Sequence, residues 1–416
     1  MVNKKFIPGK TYIPSSGKVF DRAEIDNAIA AARDGWWTEG RFAKQFESDF
    51  KKYLGVNYVS LVNSGSSANL VALASLTSKI FGERRLKPGD EYITTSAAFP
   101  TTVNPGILYG LRPVFIDADI RTLNIDSSKI EKAITKKTRL IMIAHTLGKP
   151  FDLKIILKLV KKYNLWFIED CCDALGSRYN GRLVGTFGDI ATFSFYPAHQ
   201  ITMGEGGAVI TNKPLIHRSI RQFRDWGRDC WCDTGCDNTC GRRFDWKLGQ
   251  LPYGYDHKYI YSQIGFNLKL TDFQAAIGVA QLKKLPNFIK TRKRNYEAYY
   301  AFFKKYDKYF DLIVRSENED PCWFGFAVLV KHDAPFTRNE LTQYLEKNLI
   351  GTRNIFSGNL LHHPVYREIS CKIIGQQINA DLIMNNGFWI GVYPGINQSM
   401  LVYTMLILEK FLKKLT

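Results

Sequence analysis

The chain has 416 residues, 45% apolar and 13% aromatic, and a formal charge of +18 from 57 Lys and Arg against 39 Asp and Glu. That composition excludes a disordered chain and supports a large core or two lobes. No run approaches the roughly 18 apolar residues of a membrane span, and MVNKKFIPGK has no apolar leader core, so a cytoplasmic protein with no membrane partner is expected.

The basic excess suits anionic partners such as a nucleotide diphosphate or an acidic electron donor. No finger, homeodomain or RNP-type motif is present, so nucleic acid is not an expected partner. NYVSLVNSG (57–65) reads as a strand running into a helix that starts near Ser66. Short strands rich in Ile, Val and Phe follow at 91–97, 113–119, 139–145 and 165–170, with helical segments at 66–80, 101–110, 127–134 and 152–163. This alternation predicts an α/β fold, a mainly parallel sheet with helices on both faces. Two more strands fall at 189–197 and 206–212.

Residues 227–262 are rich in Gly, Cys, Asp and aromatics and have no sustained period. A structureless stretch of that length inside a compact domain must be functional or tied down. The segment 271–306 is strongly helical, with Pro286 expected to break it. Beyond about 290, strands at 324–330 and 388–394, a helix at 337–347 and a C-terminal amphipathic helix predict a smaller α/β domain. The expected division is therefore 1–290, an N-terminal arm and large cofactor-binding domain with the 227–262 insertion, and 291–416, the small domain.

Several residues carry chemistry. Asn63 to Ala68 (NSGSSA) ends a strand and opens a helix, where backbone N–H groups and hydroxyls can hold a phosphate or form a plain N-cap. Asp170 closes a strand, where the carboxyl ends of a parallel sheet gather ligands; a buried aspartate there calls for a cation. Four of the eight cysteines fall between Cys230 and Cys240. Such clustering outside a secreted, disulfide-dense chain indicates metal or redox chemistry, and on spacing alone zinc suits four cysteines as well as iron.

The stretch FSFYPAHQITMGEGG (193–207), with HTLGKPFDL (145–153), EDCCDALGS (169–177) and IGFNLKLTDFQAAIG (264–278) in that order, resembles the sugar aminotransferases of the DegT/DnrJ/EryC1/StrS family over nearly the whole chain. The resemblance implies a fold-type I PLP-dependent transferase with a large mainly parallel sheet domain and a smaller C-terminal α/β domain. Where the family has its Schiff-base lysine, this chain has His199. An imidazole cannot make that covalent link, but it can move a proton at neutral pH. The substitution is similar to that of the family's 3-dehydratases, which hold pyridoxamine 5′-phosphate (PMP/PLP) noncovalently and remove a sugar hydroxyl.

Further expectations follow from the resemblance. His199 is the catalytic base, Asp170 faces the pyridine nitrogen and Asp173 lies near the ring hydroxyl. Ser66, Ser67 and Ser194 contact the cofactor phosphate, and Phe99 stacks on the ring. Asn267 reaches the phosphate of a neighbouring subunit in a homodimer, and Lys269 stands where an arginine is common. Cys172, Cys230, Cys232 and Cys240, spaced C-x57-C-x-C-x7-C, match the [2Fe-2S] ligand pattern of the family's iron–sulfur 3-dehydratases. Cys171 and Cys236 are bystanders, and Cys322 and Cys371 are small core residues. The substrate implied is a nucleotide-diphosphate sugar, CDP-4-keto-6-deoxyglucose, with electrons from a separate flavin/iron–sulfur NAD(P)H reductase. Three alternatives stand beside it: a cluster-free GDP-4-keto-6-deoxymannose 3-dehydratase, a non-catalytic zinc-bearing relative, and an aminotransferase working on an unusual lysine.

Overall fold

The computed structural model describes residues 6–414. Its principal strands are β1 (Tyr58–Val62), β2 (Glu91–Thr95), β3 (Arg112–Ile116), β4 (Thr138–Ala144), β5 (Trp166–Asp170), β6 (Ile190–Ser194), β7 (Gly207–Thr211), β8 (Phe310–Leu312), β9 (Gly325–Val330), β10 (Thr352–Arg353), β11 (Lys372–Ile374) and β12 (Gly387–Gly391). The principal helices are α1 (Arg22–Asp34), α2 (Arg41–Leu54), α3 (Gly65–Ser75), α4 (Pro100–Leu108), α5 (Leu153–Tyr163), α6 (Pro214–Arg224), α7 (Asp272–Phe303), α8 (Arg338–Lys347), α9 (Ile378–Asn386) and α10 (Gln398–Lys413).

Eight strands form the large sheet in the order β1-β7-β6-β5-β4-β2-β3-β11. All neighbours are parallel except β7, which runs against both β1 and β6. The mainly parallel sheet of the sequence reading is therefore present, and β2, β5, β6 and β7 are buried along their whole length. Their near-continuous apolar character follows from helices covering both faces. Two apolar clusters lie on either side of the sheet, one around Phe46, Phe50 and Phe193, the other around Tyr92, Phe115 and Trp166.

A second, antiparallel sheet, β8-β9-β12-β10, packs with α7, α8 and α10 around Phe303, Phe326 and Leu408. The chain returns from this region to the large sheet, because β11 pairs with the β3 edge. The break expected at Pro286 does not occur: α7 runs through it and through positions 290–291. Proline removes one helical hydrogen bond at a cost of about 3 kcal/mol. Here Leu285, Phe288, Tyr296 and Tyr299, on either side of it, are buried in the two cores, and that burial outweighs the loss.

Helices α1, α2, α6 and α9 lie outside the segments read from sequence. The N-cap of α2 is Gly40, which has no side chain to satisfy the first amides. Asp272, at the start of α7, supplies the cap instead: Oδ1 accepts from Gly40 N (3.0 Å) and Ala43 N (2.8 Å), and Oδ2 from Phe42 N (3.2 Å). This carboxylate is buried and ties two helices together. Replacing Asp272 with Ala should cost about 2–3 kcal/mol of stability, read as a lower urea midpoint, and Asn should recover roughly half of it.

Candidate active site

The carboxyl ends of β1, β5 and β6 open on one cavity of about 590 Å³. Helix α3 begins there. Ser64, in extended conformation, caps it by accepting from Ser67 N (3.0 Å) and lies 3.0 Å from the Ser67 hydroxyl. Ser67 is occupied by this cap and does not line the cavity, whereas Ser64, Gly65, Ser66 and Ser194 do. Gly65 is required by close approach: a Cβ there would lie 2.4 Å from Ser194 Cβ and 3.0 Å from Cys172 Sγ. The resulting surface of hydroxyls at a helix N-terminus suits a phosphate.

Asp170 ends β5 at the cavity floor and is 4% exposed. Its Oδ2 accepts from Asn69 Nδ2 (2.8 Å) and Thr102 Oγ1 (2.7 Å), and its Oδ1 from Cys172 N (3.1 Å). Asn69 is held in turn by Thr192 Oγ1 at 2.6 Å. All three donors are neutral, and Asp170 forms no ion pair among the described residues. A buried carboxylate with no cation is costly, so the site fits a ligand that brings a positive ring nitrogen.

His199 faces the cavity beside Phe324, with ring centroids 5.2 Å apart, and its Nδ1 lies 3.4 Å from Asp173 Oδ1. Burial pushes the Asp173 carboxyl up, and the His199 interaction pulls it partly back. The backbone of His199 is fixed from behind, because the fully buried Arg292 donates to its carbonyl (2.9 Å) and to the carbonyls of Trp323 and Phe324. No lysine lines the cavity among the described residues. Lys149 of the GKP segment is buried elsewhere in an ion pair with Glu319.

Phe99, the N-cap of α4, is 49% exposed at the cavity and meets Phe356 edge-on at 6.3 Å. Asn267 lies outside the cavity, exposed, on a segment joined to β1 through Asn63 N and Leu268 O, and it accepts from Lys269 Nζ. Lys269 also sits 3.6 Å over the Trp226 ring.

The cysteines divide. Cys172 lines the cavity, while Cys230, Cys232 and Cys240 share the insertion. There each sulfur accepts a backbone N–H: Cys230 from Cys232 (3.4 Å), Cys232 from Thr239 (3.3 Å) and Cys240 from Arg242 (3.4 Å). The insertion carries one short 3-10 turn, His257–Tyr259, and is otherwise a run of turns closed by backbone bonds, such as Gly254 N to Trp246 O and His257 N to Arg243 O, and by side chains. Asp229 joins its two ends, bonding His257 Nε2 (2.8 Å) and Ser262 Oγ (2.9 Å), while Trp246 stacks on His257. Cys171 is buried with His145 and Glu169, their ligand atoms within 4.8 Å of one another. That group is already satisfied, since Glu169 accepts from Gly185, Phe187 and Gly188 amides and meets His145 at 3.2 Å. Cys322 is buried, Cys371 half-buried and Cys236 exposed.

Sequence reasoning missed Asn69 and Thr102 as the partners of Asp170, and Arg353, Asn354, Phe356 and Trp389 as the far wall. Asn69 was findable: it lies one helical turn beyond the phosphate-type helix start. The far wall comes from the second sheet and left no local signal.

The model of the DegT/DnrJ/EryC1/StrS aminotransferase family matches residues 19–406. The chain is 51% identical to the lipopolysaccharide biosynthesis protein RfbH of Salmonella typhimurium, over 98% of this chain and 93% of that protein. It is 47% identical to a dTDP-4-dehydro-2,6-dideoxy-D-glucose 3-dehydratase of Saccharopolyspora spinosa, over 98% and 88%. Among solved structures, that of the E. coli GDP-4-keto-6-deoxy-D-mannose-3-dehydratase with bound hydrated PLP superposes with a TM-score of 0.85 at 30% identity, covering 96% of this chain and all of that one.

The thiols should differ in reactivity. Burial, with Asp170 nearby, pushes Cys172 well above the usual thiol range. For Cys232 burial also opposes ionisation, but the hydrogen bonds from Thr239 and its neighbours outweigh it and hold the thiol below that range. In metal-free, reduced protein near neutral pH, iodoacetamide should therefore modify Cys232 ahead of Cys171 and Cys172, as followed by peptide mass spectrometry. Equal labelling of Cys172 and Cys232 would contradict these environments.

Proposed function

Because the chain belongs to the DegT/DnrJ/EryC1/StrS aminotransferase family, we propose that it is a pyridoxamine phosphate-dependent 3-dehydratase. In this reading it deoxygenates carbon 3 of a nucleotide-linked 4-keto-6-deoxyhexose, CDP-4-keto-6-deoxyglucose, for 3,6-dideoxyhexose and lipopolysaccharide biosynthesis. It works with a [2Fe-2S] cluster, as a homodimer, and takes electrons from a separate NAD(P)H-dependent flavin/iron–sulfur reductase. The observation that carries the reading is His199, with no lysine among the described residues, on the wall of a cavity whose floor is an uncompensated carboxylate.

Bound pyridoxamine phosphate supplies a primary amine for the sugar ketone and a ring that accepts electron density. The residues of this chain then have separate tasks. Asp170 holds a proton on the ring nitrogen, fixed by Asn69 and Thr102. The α3 N-terminus, with Ser66 and Ser194, holds the phosphate. Ser67 supports that cup by capping the helix with Ser64. Phe99 covers one face of the ring, and the exposed Asn267 serves the phosphate of the neighbouring subunit. His199 moves the proton through Nε2, with Nδ1 turned to Asp173.

A bound cluster supplies electrons one at a time. Cys230, Cys232 and Cys240 fit it, because N–H donors to sulfur are among the groups that hold and tune such centres. Cys172 is the fourth ligand in this reading and the one nearest the coenzyme, since it follows Asp170 by two residues and lines the same cavity. The large domain, 1–290, carries these residues, and the 291–416 domain closes the cavity from the other side.

Two measurements test the proposal. Anaerobically purified protein should contain iron and acid-labile sulfide; dehydration without either would identify the cluster-free reading, and zinc in their place the structural one. His199→Asn should lower loss of the 3-hydroxyl by roughly 10²–10⁴-fold, followed by mass analysis of the sugar. Undiminished turnover in that variant would remove the base from the mechanism.

A further inference from the structure

The far wall of the cavity is built by a different sheet from the phosphate-holding wall. Arg353, on β10, lines it together with Asn354, Phe356 and Trp389. The charged groups around the cavity are three carboxylates, Asp170, Asp173 and Glu205, with His199 and Arg353. Arg353 is thus the single Lys or Arg lining it among the described residues. Its side chain is exposed to the cavity and forms no ion pair among those residues.

Its position is nevertheless fixed. Its Nη1 donates to its neighbour's carbonyl, Thr352 O, at 2.7 Å, and its guanidinium lies near enough to the phenol of Tyr12 to favour that phenol's ionised form. Tyr12 belongs to the N-terminal arm, which lies against this strand: Ile13 N donates to Leu349 O and Gly351 N to Ile13 O. Tyr12 Oη also donates to Glu346 Oε2 at 3.3 Å, and Glu346 is engaged through its other oxygen by Thr352 N. The arm therefore leaves the guanidinium oriented and without a carboxylate partner.

We infer that Arg353 is the anion-reading residue of the cavity, its guanidinium binding the diphosphate of the nucleotide-linked substrate while the Tyr12 phenol holds it in place. This rests on the reading of the protein as a nucleotide-sugar enzyme. The coenzyme phosphate is already provided for by the α3 N-terminus and its serines on the opposite wall. A diphosphate introduces two further charges, and a planar fork of donors is the group suited to them. The aromatic rings of Phe356 and Trp389 beside Arg353 offer apolar contact to the rest of the ligand.

The test is calorimetric titration of coenzyme-loaded protein with CDP, dTDP and GDP as probes. Arg353→Met should weaken binding of the preferred nucleoside diphosphate by about 10- to 100-fold, and Arg353→Lys by less. Tyr12→Phe should give a smaller loss, because it removes the holder and keeps the charge. Pyridoxamine phosphate affinity, followed by absorbance, should remain unchanged in all three, which also reports that the variants fold. Unaltered diphosphate binding by Arg353→Met would overturn the inference, as would a loss confined to the coenzyme. If the unsubstituted protein binds none of the three nucleotides, the nucleotide-sugar reading falls first and the role of Arg353 with it.

Discussion

A carboxylate buried without a cation sets the terms for the whole site. Asp170 is almost inaccessible, and its three donors are an amide, a hydroxyl and a backbone N–H. Neutral donors satisfy its lone pairs but leave the charge, so the folded protein carries an unfavourable term that a cationic ligand atom relieves. The same interaction sets distances. Asn69 binds Asp170 from the second turn of α3, while Gly65 and Ser66 at the start of that helix face the cavity. One helix therefore spans both poles of the site, the buried carboxylate and the hydroxyl-lined helix start. Gly65 lets β6 and Cys172 approach that helix start more closely than any side chain would allow.

His199 is positioned by contacts on three sides. Asp173 faces Nδ1, Phe324 lies against the ring, and Arg292 grips the backbone carbonyl while also holding the Trp323 and Phe324 carbonyls. These contacts come from the loop after β5, from the approach to β9 and from α7. An imidazole is short compared with a lysine, and in this setting it is held where it projects rather than left to search. Burying Arg292 without a carboxylate costs free energy that the fold recovers through three carbonyl bonds at one junction.

Much of this was legible in the sequence, and what was not has a common cause. The parallel strands announced themselves as apolar runs, the start of α3 as a strand followed by NSGSSA, and Asp170 as the end of a strand. Position 199 was found by its place in a motif. Ser67 was read with the phosphate-holding residues, although its N–H and hydroxyl are both engaged with Ser64; a cap and a cradle share one sequence pattern, and only coordinates separate them. Pro286 was read as a break because local propensity says so, but burial on both sides of it decides the outcome. Helix α2 lacked a start signal, since its cap is Asp272, about 230 positions away. Arg353 and Trp389 were invisible for a similar reason: they reach the cavity through a second sheet whose contacts are long-range.

The cysteine-rich insertion obeys a different logic from the rest of the chain. Regular secondary structure would satisfy its backbone and bury its side chains, yet between positions 227 and 262 the chain makes turns. Many of its amides go to nearby backbone carbonyls and three go to sulfur: Cys232, Thr239 and Arg242 give their N–H groups to three thiols. A thiol is a poor acceptor and a thiolate a good one, so this arrangement gains most when the sulfurs are ionised, the form in which cysteine binds metal. The ends of the insertion do not depend on that. Asp229 closes them with His257 and Ser262, and Trp231, Trp246 and His257 form a small aromatic cluster beside it. The segment thus has a self-supporting base and a sulfur-rich tip, and the strength of the tip is tied to the charge state of its thiols. Zinc and iron would both stabilise it by that route. Cys172 stands apart from these three thiols, on the wall of the cavity beside Asp170.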